Sequence, residues 1–178
     1  HRYPSDRIFI SGIPQMDVYA HKEVAPTREA FFAKHGLDPN RRLVVYAAVG
    51  KLISYHEPEV IPYLATLIAG DRIAPDLQLL VRLHPAYPSD ENIFHALPHT
   101  VVVRPGKIGV ERNPLRFDFE FDAEETHDLM ATLMYADVLI QSGSTMAIDA
   151  ACFDTPIISF GYDGPVIHER IERSAHRL

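Results

Sequence analysis

The sequence lacks tryptophan and has a single cysteine among its 178 residues. One cysteine excludes a disulfide framework and a cysteine-based metal cluster, and it indicates a reducing, cytoplasmic compartment. Cys152 follows two alanines and precedes a phenylalanine, so we expect it to be a buried apolar residue.

Long hydrophobic runs and an excess of basic side chains are also absent. No apolar run reaches the ~18 residues that indicate a membrane-spanning helix. Acidic residues outnumber basic ones by 24 to 17, and the net charge of −7 opposes a general nucleic-acid or anionic-membrane surface. The chain begins without methionine or a signal-peptide pattern, and Leu178 ends a helical pattern without a stop signal. We therefore expect a single domain, residues 1–178, taken from a larger protein.

Several catalytic and cofactor motifs are missing. Gly50-Lys51 does not lie in a Walker A spacing, and no G-x-G-x-x-G follows a predicted strand, which disfavours a nicotinamide dinucleotide. The ten histidines include no H-E-x-x-H, so we expect no metal site. The sequence from Ser142 to Met146 departs from G-x-S-x-G, which disfavours a hydrolase.

Short apolar runs alternate with segments of helical periodicity. The predicted strands are residues 7–11, 43–49, 77–83, 100–104, 137–141 and 156–160, and the predicted helices are residues 26–34, 58–69, 90–97, 126–135, 144–153 and 166–177. Continuous apolar strands that alternate with helices indicate an α/β protein, with a mostly parallel sheet of about six strands and helices on both faces.

Residues 105–125 depart from this alternation and include six acidic side chains. Phe117, Phe119 and Phe121 alternate with acidic residues, as in a short edge strand. The same composition is typical of a solvated connector or of a mobile loop over a ligand site.

Unusual residues cluster where the predicted strands end, and parallel sheets bind their ligands at that edge. They form five loops: Gly12-Ile13-Pro14, Gly50-Lys51, Arg82-Leu83-His84-Pro85, Ser142-Gly143-Ser144-Thr145 and Gly161-Tyr162-Asp163. Their common placement predicts one site.

The loop formed by Ser142, Gly143, Ser144 and Thr145 opens a predicted helix, whose free N–H groups and dipole favour an anion. Asp149 lies about one turn further along the same side. A phosphate at the turn and a sugar hydroxyl near the carboxylate fit this arrangement. A strand–turn–helix unit without a ligand can carry the same capping sequence, so both interpretations stay open.

Four further side chains each have a functional and a structural interpretation. Arg82 can clamp a phosphate or pair with a nearby carboxylate, and His84 can donate a proton or cap a local carbonyl group. Lys51 can reach a phosphate or remain solvated. Asp17 can orient a ligand or hold its own turn through an Asx bond.

The ordered motifs that begin at Gly12, Val45, Arg82, Ala136 and Thr155 resemble those of a known family. They are similar to the C-terminal nucleotide-binding half of GT-B transferases, most closely the CDP-glycerol glycerophosphotransferases of teichoic-acid synthesis and related surface-polysaccharide transferases. The likeness extends over about residues 8–165 and implies a Rossmann-like sheet, one half of a GT-B fold, with no metal required.

The resemblance also implies site roles and partners. His84 and Arg82 are expected to contact the donor phosphate, Ser144 and Thr145 to hold the diphosphate, and Asp149 to meet the ribose hydroxyls. The implied donor is CDP-, CMP- or UDP-linked, and the acceptor is a polysaccharide or lipid-linked. We also expect no cofactor other than the nucleotide-activated substrate. The N-terminal GT-B domain, and any docking at the inner face of the membrane, would lie in parts outside this chain.

Departures from the family motifs leave three hypotheses open. Gln15 and Lys51 stand where the family has arginine, and Gly143 replaces a tyrosine. The first hypothesis is a transferase, with His84 and Asp17 as the candidate catalytic residues. The second is a UDP-N-acetylglucosamine 2-epimerase, which resembles the chain in its Ser-Gly helix start and needs a carboxylate pair. The carboxylates considered for the epimerase pair are Asp17, Asp149 and Asp163. The third hypothesis is a non-catalytic nucleotide-binding module.

Overall fold

A computed structural model describes residues 4–50, 53–87, 89, 91–108, 119–120 and 122–161. Its strands are β1 (Arg42–Ala47), β2 (Leu77–Arg82), β3 (Thr100–Val103), β4 (Lys107–Ile108), β5 (Phe119–Glu120), β6 (Val138–Gln141) and β7 (Ile157–Ser159). Five of them form one sheet in the order β3-β2-β1-β6-β7, and each neighbouring pair is parallel. The predicted α/β fold is confirmed, with five strands in the sheet instead of six.

Helices cover both faces of this sheet. They are α1 (Arg28–His35), α2 (Glu57–Ala69), α3 (Glu91–His95), α4 (Ala123–Tyr135) and α5 (Met146–Ala151). Successive β1 side chains alternate between two buried clusters, Val45 facing α1, α4 and α5 while Val44 and Tyr46 face α2 and α3. Burial on both faces explains why the strands are continuously apolar in sequence. Within the described residues, no helix combines the length and apolar character needed to cross a bilayer.

Local capping signals fix the ends of α1, as predicted. The Thr27 hydroxyl accepts a hydrogen bond from the Ala30 amide at 3.3 Å, which caps the first turn. Gly36 follows the helix with φ of 66°, a left-handed conformation that glycine adopts without steric cost.

The prediction of a first strand at residues 7–11 is wrong. Residues 8–13 have no regular structure, and Phe9 and Ile10 are each 90% exposed. This apolar run suits a pleated, half-buried surface, but no described strand pairs with it. The chain instead forms short 3₁₀-helices on either side, at Ser5–Arg7 and Pro14–Ala20.

Two further expectations, on Cys152 and on the start of α5, need correction. Cys152 is exposed, because α5 ends at Ala151 and the neighbouring Ala150 is the residue that packs into the core. α5 begins at Met146 and not at residue 144. In the 105–125 segment, β5 pairs antiparallel with β4 in a two-stranded sheet that is separate from the main sheet. Residues 109–118 and the predicted helix 166–177 lie outside the described residues.

Candidate functional site

The strand order places the candidate site at a switch point. The chain moves outward from β1 to β2 and β3 on one side, and to β6 and β7 on the other. Such a reversal opens a crevice beyond the carboxyl ends of the two central strands, here β1 and β6. The loops after β2, β1 and β6, which hold most of the predicted site residues, therefore lie side by side. Lys51, Tyr162 and Asp163 lie outside the described residues.

Gln141, the last residue of β6, holds the following turn in shape. Its side-chain oxygen accepts hydrogen bonds from the backbone amides of Gly143 and Ser144 at 2.5 and 2.6 Å. Its amide nitrogen donates to the hydroxyl of Ser159, the last residue of β7, at 2.5 Å. The prediction that these turn amides are free is therefore wrong, since a side chain already occupies two of them.

The hydroxyl groups of the turn differ in their surroundings. Thr145 is exposed and Ser144 is half-buried, with the Ser144 hydroxyl accepting from the Met146 amide at 3.2 Å. The Ser142 hydroxyl is buried beside that of Tyr46, and neither completes a hydrogen bond of normal geometry with described residues. Only Ser144 and Thr145 therefore present hydroxyl groups toward solvent.

A buried carboxylate holds the loop after β1. Glu57, the first residue of α2, is 2% exposed and accepts hydrogen bonds from the amides of Val49 at 2.7 Å and Gly50 at 2.9 Å. Burial raises the pKa of Glu57, and the two amide hydrogen bonds act in the opposite direction. Sequence reasoning missed this residue. The available signal was an acidic side chain at a helix start that closely follows a strand-end glycine.

Arg82 lies at the end of β2 and is 4% exposed. Its guanidinium donates to a carboxylate oxygen of Asp128, on α4, at 3.2 Å. This contact is the structural alternative considered from the sequence. Burial lowers the pKa of Arg82 and the Asp128 charge opposes that shift. The phosphate role of Arg82 stays a prediction.

Asp128 also binds the other basic side chains of this region. Its second oxygen accepts from His35 at 2.7 Å and from Lys34 at 3.1 Å. Burial alone would raise the pKa of Asp128, but these hydrogen bonds and charges outweigh burial and lower it to about 2. A cleft of about 440 Å³ borders this group between α1 and α4, with Glu124 and His127 in its lining. The cleft lies on that helical face and not at the β1–β6 crevice.

His84 is half-buried in the loop after β2. Its Nδ1 accepts hydrogen bonds from the amides of Ala86 at 3.1 Å and Tyr87 at 3.2 Å, and its ring stacks on Tyr87 at 4.2 Å. The ring therefore has a local structural role. It accepts from backbone amides, whereas the sequence predicted a contact with a carbonyl group. Burial and the Arg104 charge lower the pKa of His84, which favours the neutral ring. Because Nδ1 accepts two amide hydrogen bonds, the proton of the neutral ring is on Nε2. Arg104 also fixes this loop by donating to the carbonyl oxygen of His84 at 2.6 Å.

The two predicted aspartates have different environments. Asp149 is half-buried on α5 and accepts a hydrogen bond from the hydroxyl of Tyr19 at 2.9 Å. Burial raises the pKa of Asp149, while the Tyr19 hydrogen bond lowers it. Asp17 is exposed on the 3₁₀-helix Pro14–Ala20, and its side chain makes no hydrogen bond to the described residues. The expected Asx bond is therefore not seen there.

No protein-family model and no curated protein sequence matches the chain. Solved structures of the wall teichoic acid polymerase TagF do match. The unsubstituted polymerase aligns with a TM-score of 0.50 and 18% identity, and a histidine-to-asparagine variant aligns with a TM-score of 0.52 and 17% identity. The same variant soaked with CDPG gives a TM-score of 0.53 and 17% identity.

Each of these alignments covers 90% of this chain but only 33% to 35% of the TagF chain. The chain therefore spans about a third of the length of the polymerase. At this identity the likeness concerns the fold. The likeness to surface-polymer transferases that the motifs predicted is thus confirmed as a Rossmann-like fold shared with one part of TagF.

Proposed function

We propose that the carboxyl edge of the sheet binds a nucleotide-activated donor, and that the protein is a transferase that moves a sugar or polyol phosphate to a cell-surface polymer. One observation carries the proposal: the chain shares its fold with part of a wall teichoic acid polymerase, and its polar loops flank the topological switch of that fold. A histidine-to-asparagine variant of TagF was soaked with CDPG, which supports a CDP-linked donor as the first choice.

The proposed donor site uses the loops on both sides of β1. The hydroxyl groups of Ser144 and Thr145, beside Gly143, bind the diphosphate. The neutral His84 ring donates from Nε2 to the oxygen that leaves with the nucleotide, since fixed donors stabilise charge that develops there. Lys51 adds positive charge, and Asp149 accepts a hydrogen bond from a ribose hydroxyl. The Ser142 hydroxyl is buried, so we do not assign it a contact with the donor.

Two residues have modified roles in this proposal. Arg82 is held by Asp128, so we assign it to supporting the end of β2 and not to clamping phosphate. Exposed Asp17 is the proposed base for the acceptor hydroxyl. The acceptor, a polysaccharide or lipid-linked, would also contact the other GT-B half. The reaction as proposed needs no metal or other cofactor, and a cytoplasmic site of action fits an activated nucleotide donor.

Calorimetric titration of the full chain with CDP, UDP, CMP, GDP and ADP tests the donor site. We expect selective binding of a cytidine or uridine diphosphate, with Thr145→Val lowering the affinity about tenfold through loss of one hydrogen bond to a charged group. Thr100→Val is the matched control, because Thr100 begins β3 at the opposite edge of the sheet. The donor site is disproved if no nucleotide binds, or if Thr145→Val and Thr100→Val bind equally well.

One observation favours a second candidate function, a nucleotide-binding module without turnover. Gln141 already occupies the Gly143 and Ser144 amides, which leaves fewer donors to stabilise the phosphate charge of the leaving nucleotide. Release of CMP from CDP-glycerol in the presence of polymer acceptor would identify the transferase, while nucleotide binding without release would identify the module. No observation favours the epimerase: of the carboxylates considered for its pair, Asp149 is bonded to Tyr19 and Asp163 lies outside the described residues.

A further inference from the structure

Tyr19 connects the N-terminal segment to the candidate site. Its hydroxyl donates to Oδ1 of Asp149 at 2.9 Å, although the two residues are 130 positions apart in the sequence. Tyr19 is 8% exposed, and its ring packs against Phe153 with a centroid distance of 5.1 Å. The Lys22 ammonium group lies 5.5 Å from the centroid of the same Phe153 ring. Packing therefore fixes the position of the Tyr19 hydroxyl before any ligand arrives.

The hydrogen bond leaves one side of the carboxylate available. Oδ1 of Asp149 is occupied by Tyr19, whereas Oδ2 accepts no hydrogen bond from the described residues. Burial raises the pKa of Tyr19 well above its ordinary range, so its hydroxyl remains a donor. A half-buried carboxylate with one oxygen fixed presents the other in a single orientation, which suits the hydroxyl group of a sugar.

Packing alone does not account for a hydroxyl at this position. Phenylalanine would fill the same space against Phe153, without the cost of burying a phenolic oxygen. The hydroxyl acts on Asp149, and Asp149 is the predicted contact of the ribose. We propose that Tyr19 is a positioning residue that orients Asp149 for a hydroxyl of the donor ribose, and that the pair selects ribonucleotides over deoxyribonucleotides. This inference rests on the proposed donor site.

Comparison of ribo- and deoxyribonucleotides on the full chain tests this role. CDP, 2′-deoxy-CDP and 3′-deoxy-CDP are titrated into the wild type, Tyr19→Phe and Asp149→Asn. In the wild type we expect one of the deoxynucleotides to bind about tenfold more weakly than CDP, because it lacks a hydrogen bond to a charged group. In both variants we expect this ratio to fall toward one, chiefly through weaker binding of CDP.

Tyr135→Phe is the matched control. The Tyr135 hydroxyl donates to the carbonyl oxygen of Pro26 at 2.9 Å, so it also connects the N-terminal region to a helix, but it does not contact Asp149. This variant should keep the wild-type ratio. A tyrosine that served only as a tether would lower stability without changing the ratio.

The outcomes separate the inference from the proposed function. If the wild type binds none of the three nucleotides, the donor site itself is disproved. If CDP binds but Tyr19→Phe keeps the full ribose preference, the positioning role is overturned and the donor site stands. The inference can be overturned even if Tyr19→Phe does not fold. A wild type without ribose preference would overturn it, and so would an Asp149→Asn variant that keeps the preference.

Discussion

Asp128 is the clearest case of a single residue on which others depend. It binds Arg82, His35 and Lys34, and Arg82 is almost fully buried. Asp128→Asn would remove the charge of the carboxylate to which that guanidinium donates. We expect the free energy of unfolding at neutral pH to fall by about 3–5 kcal/mol, measured by urea denaturation.

Glu124→Gln provides the control for this substitution. Glu124 binds the same Lys34 but is 78% exposed, so its removal should change the free energy of unfolding by less than about 1 kcal/mol. Equal effects of the two substitutions would contradict the assigned importance of burial.

The pH dependence of the free energy of unfolding tests the role of the Asp128 carboxylate in a second way. Its pKa falls from 3.8 in the unfolded chain to about 2 in the folded one, so its contribution to stability is present above about pH 4 and lost as the pH falls toward 2. The free energy of unfolding of Asp128→Asn should therefore depend less on pH over that interval than that of the wild type.

Residue types could be predicted from the sequence more readily than their partners. Arg82, His84 and Asp149 were placed correctly at or near the carboxyl edge of the sheet. The hydrogen bonds from Arg82 to Asp128 and from Tyr19 to Asp149 span 46 and 130 residues, respectively. Only tertiary packing determines which of many carboxylates meets a given donor, so these pairs have no local signal.

At the scale of one element, the turn after β6 offers a direct test of anion binding. Gln141→Glu keeps an oxygen in place for the Gly143 and Ser144 amides, and the Ser159 hydroxyl can reverse its role and donate. The fold should be retained, but the added negative charge should weaken CDP or UDP binding at least tenfold. Calorimetry measures the affinity, and thermal unfolding confirms that the variant is folded.

Asn40→Asp makes the same change of charge elsewhere. Asn40 is exposed in the loop that precedes β1, at the amino edge of the sheet. Its replacement should leave the nucleotide affinity within twofold of the wild type. A similar loss of affinity in both variants would show that net charge, and not the turn, governs binding.

Helix ends with local capping signals can be predicted from the sequence, but whether an apolar run finds a partner strand cannot. Thr27 and Gly36 mark the ends of α1 in the sequence because capping depends on a few adjacent residues. The strand expected at residues 7–11 has the right composition but needs a partner strand, which its own sequence does not specify. The exposure of Cys152 likewise depends on where α5 ends, which the residues around Cys152 do not specify.

For the whole molecule, the exposed apolar run near the N-terminus contributes little to the described core. Phe9→Ser and Ile10→Ser should each change the free energy of unfolding by less than about 0.5 kcal/mol, because both side chains are 90% exposed. Phe32→Ala, at a buried position of α1, should cost about 3–5 kcal/mol. A large loss in the first two variants would mean that this run is buried in solution.

The strand order of the parallel sheet also determines when each strand can join the sheet during synthesis of the chain. Asp137 joins the start of β6 to the start of β1 through two hydrogen bonds with Leu43, each of 2.8 Å, across 94 residues. During synthesis from the N-terminus, β1, β2 and β3 can associate while β6 has not yet left the ribosome. The crevice between β1 and β6 therefore forms only after β6 has been synthesised, so a nascent chain acquires the proposed donor site later than it acquires the β1–β3 half of the sheet.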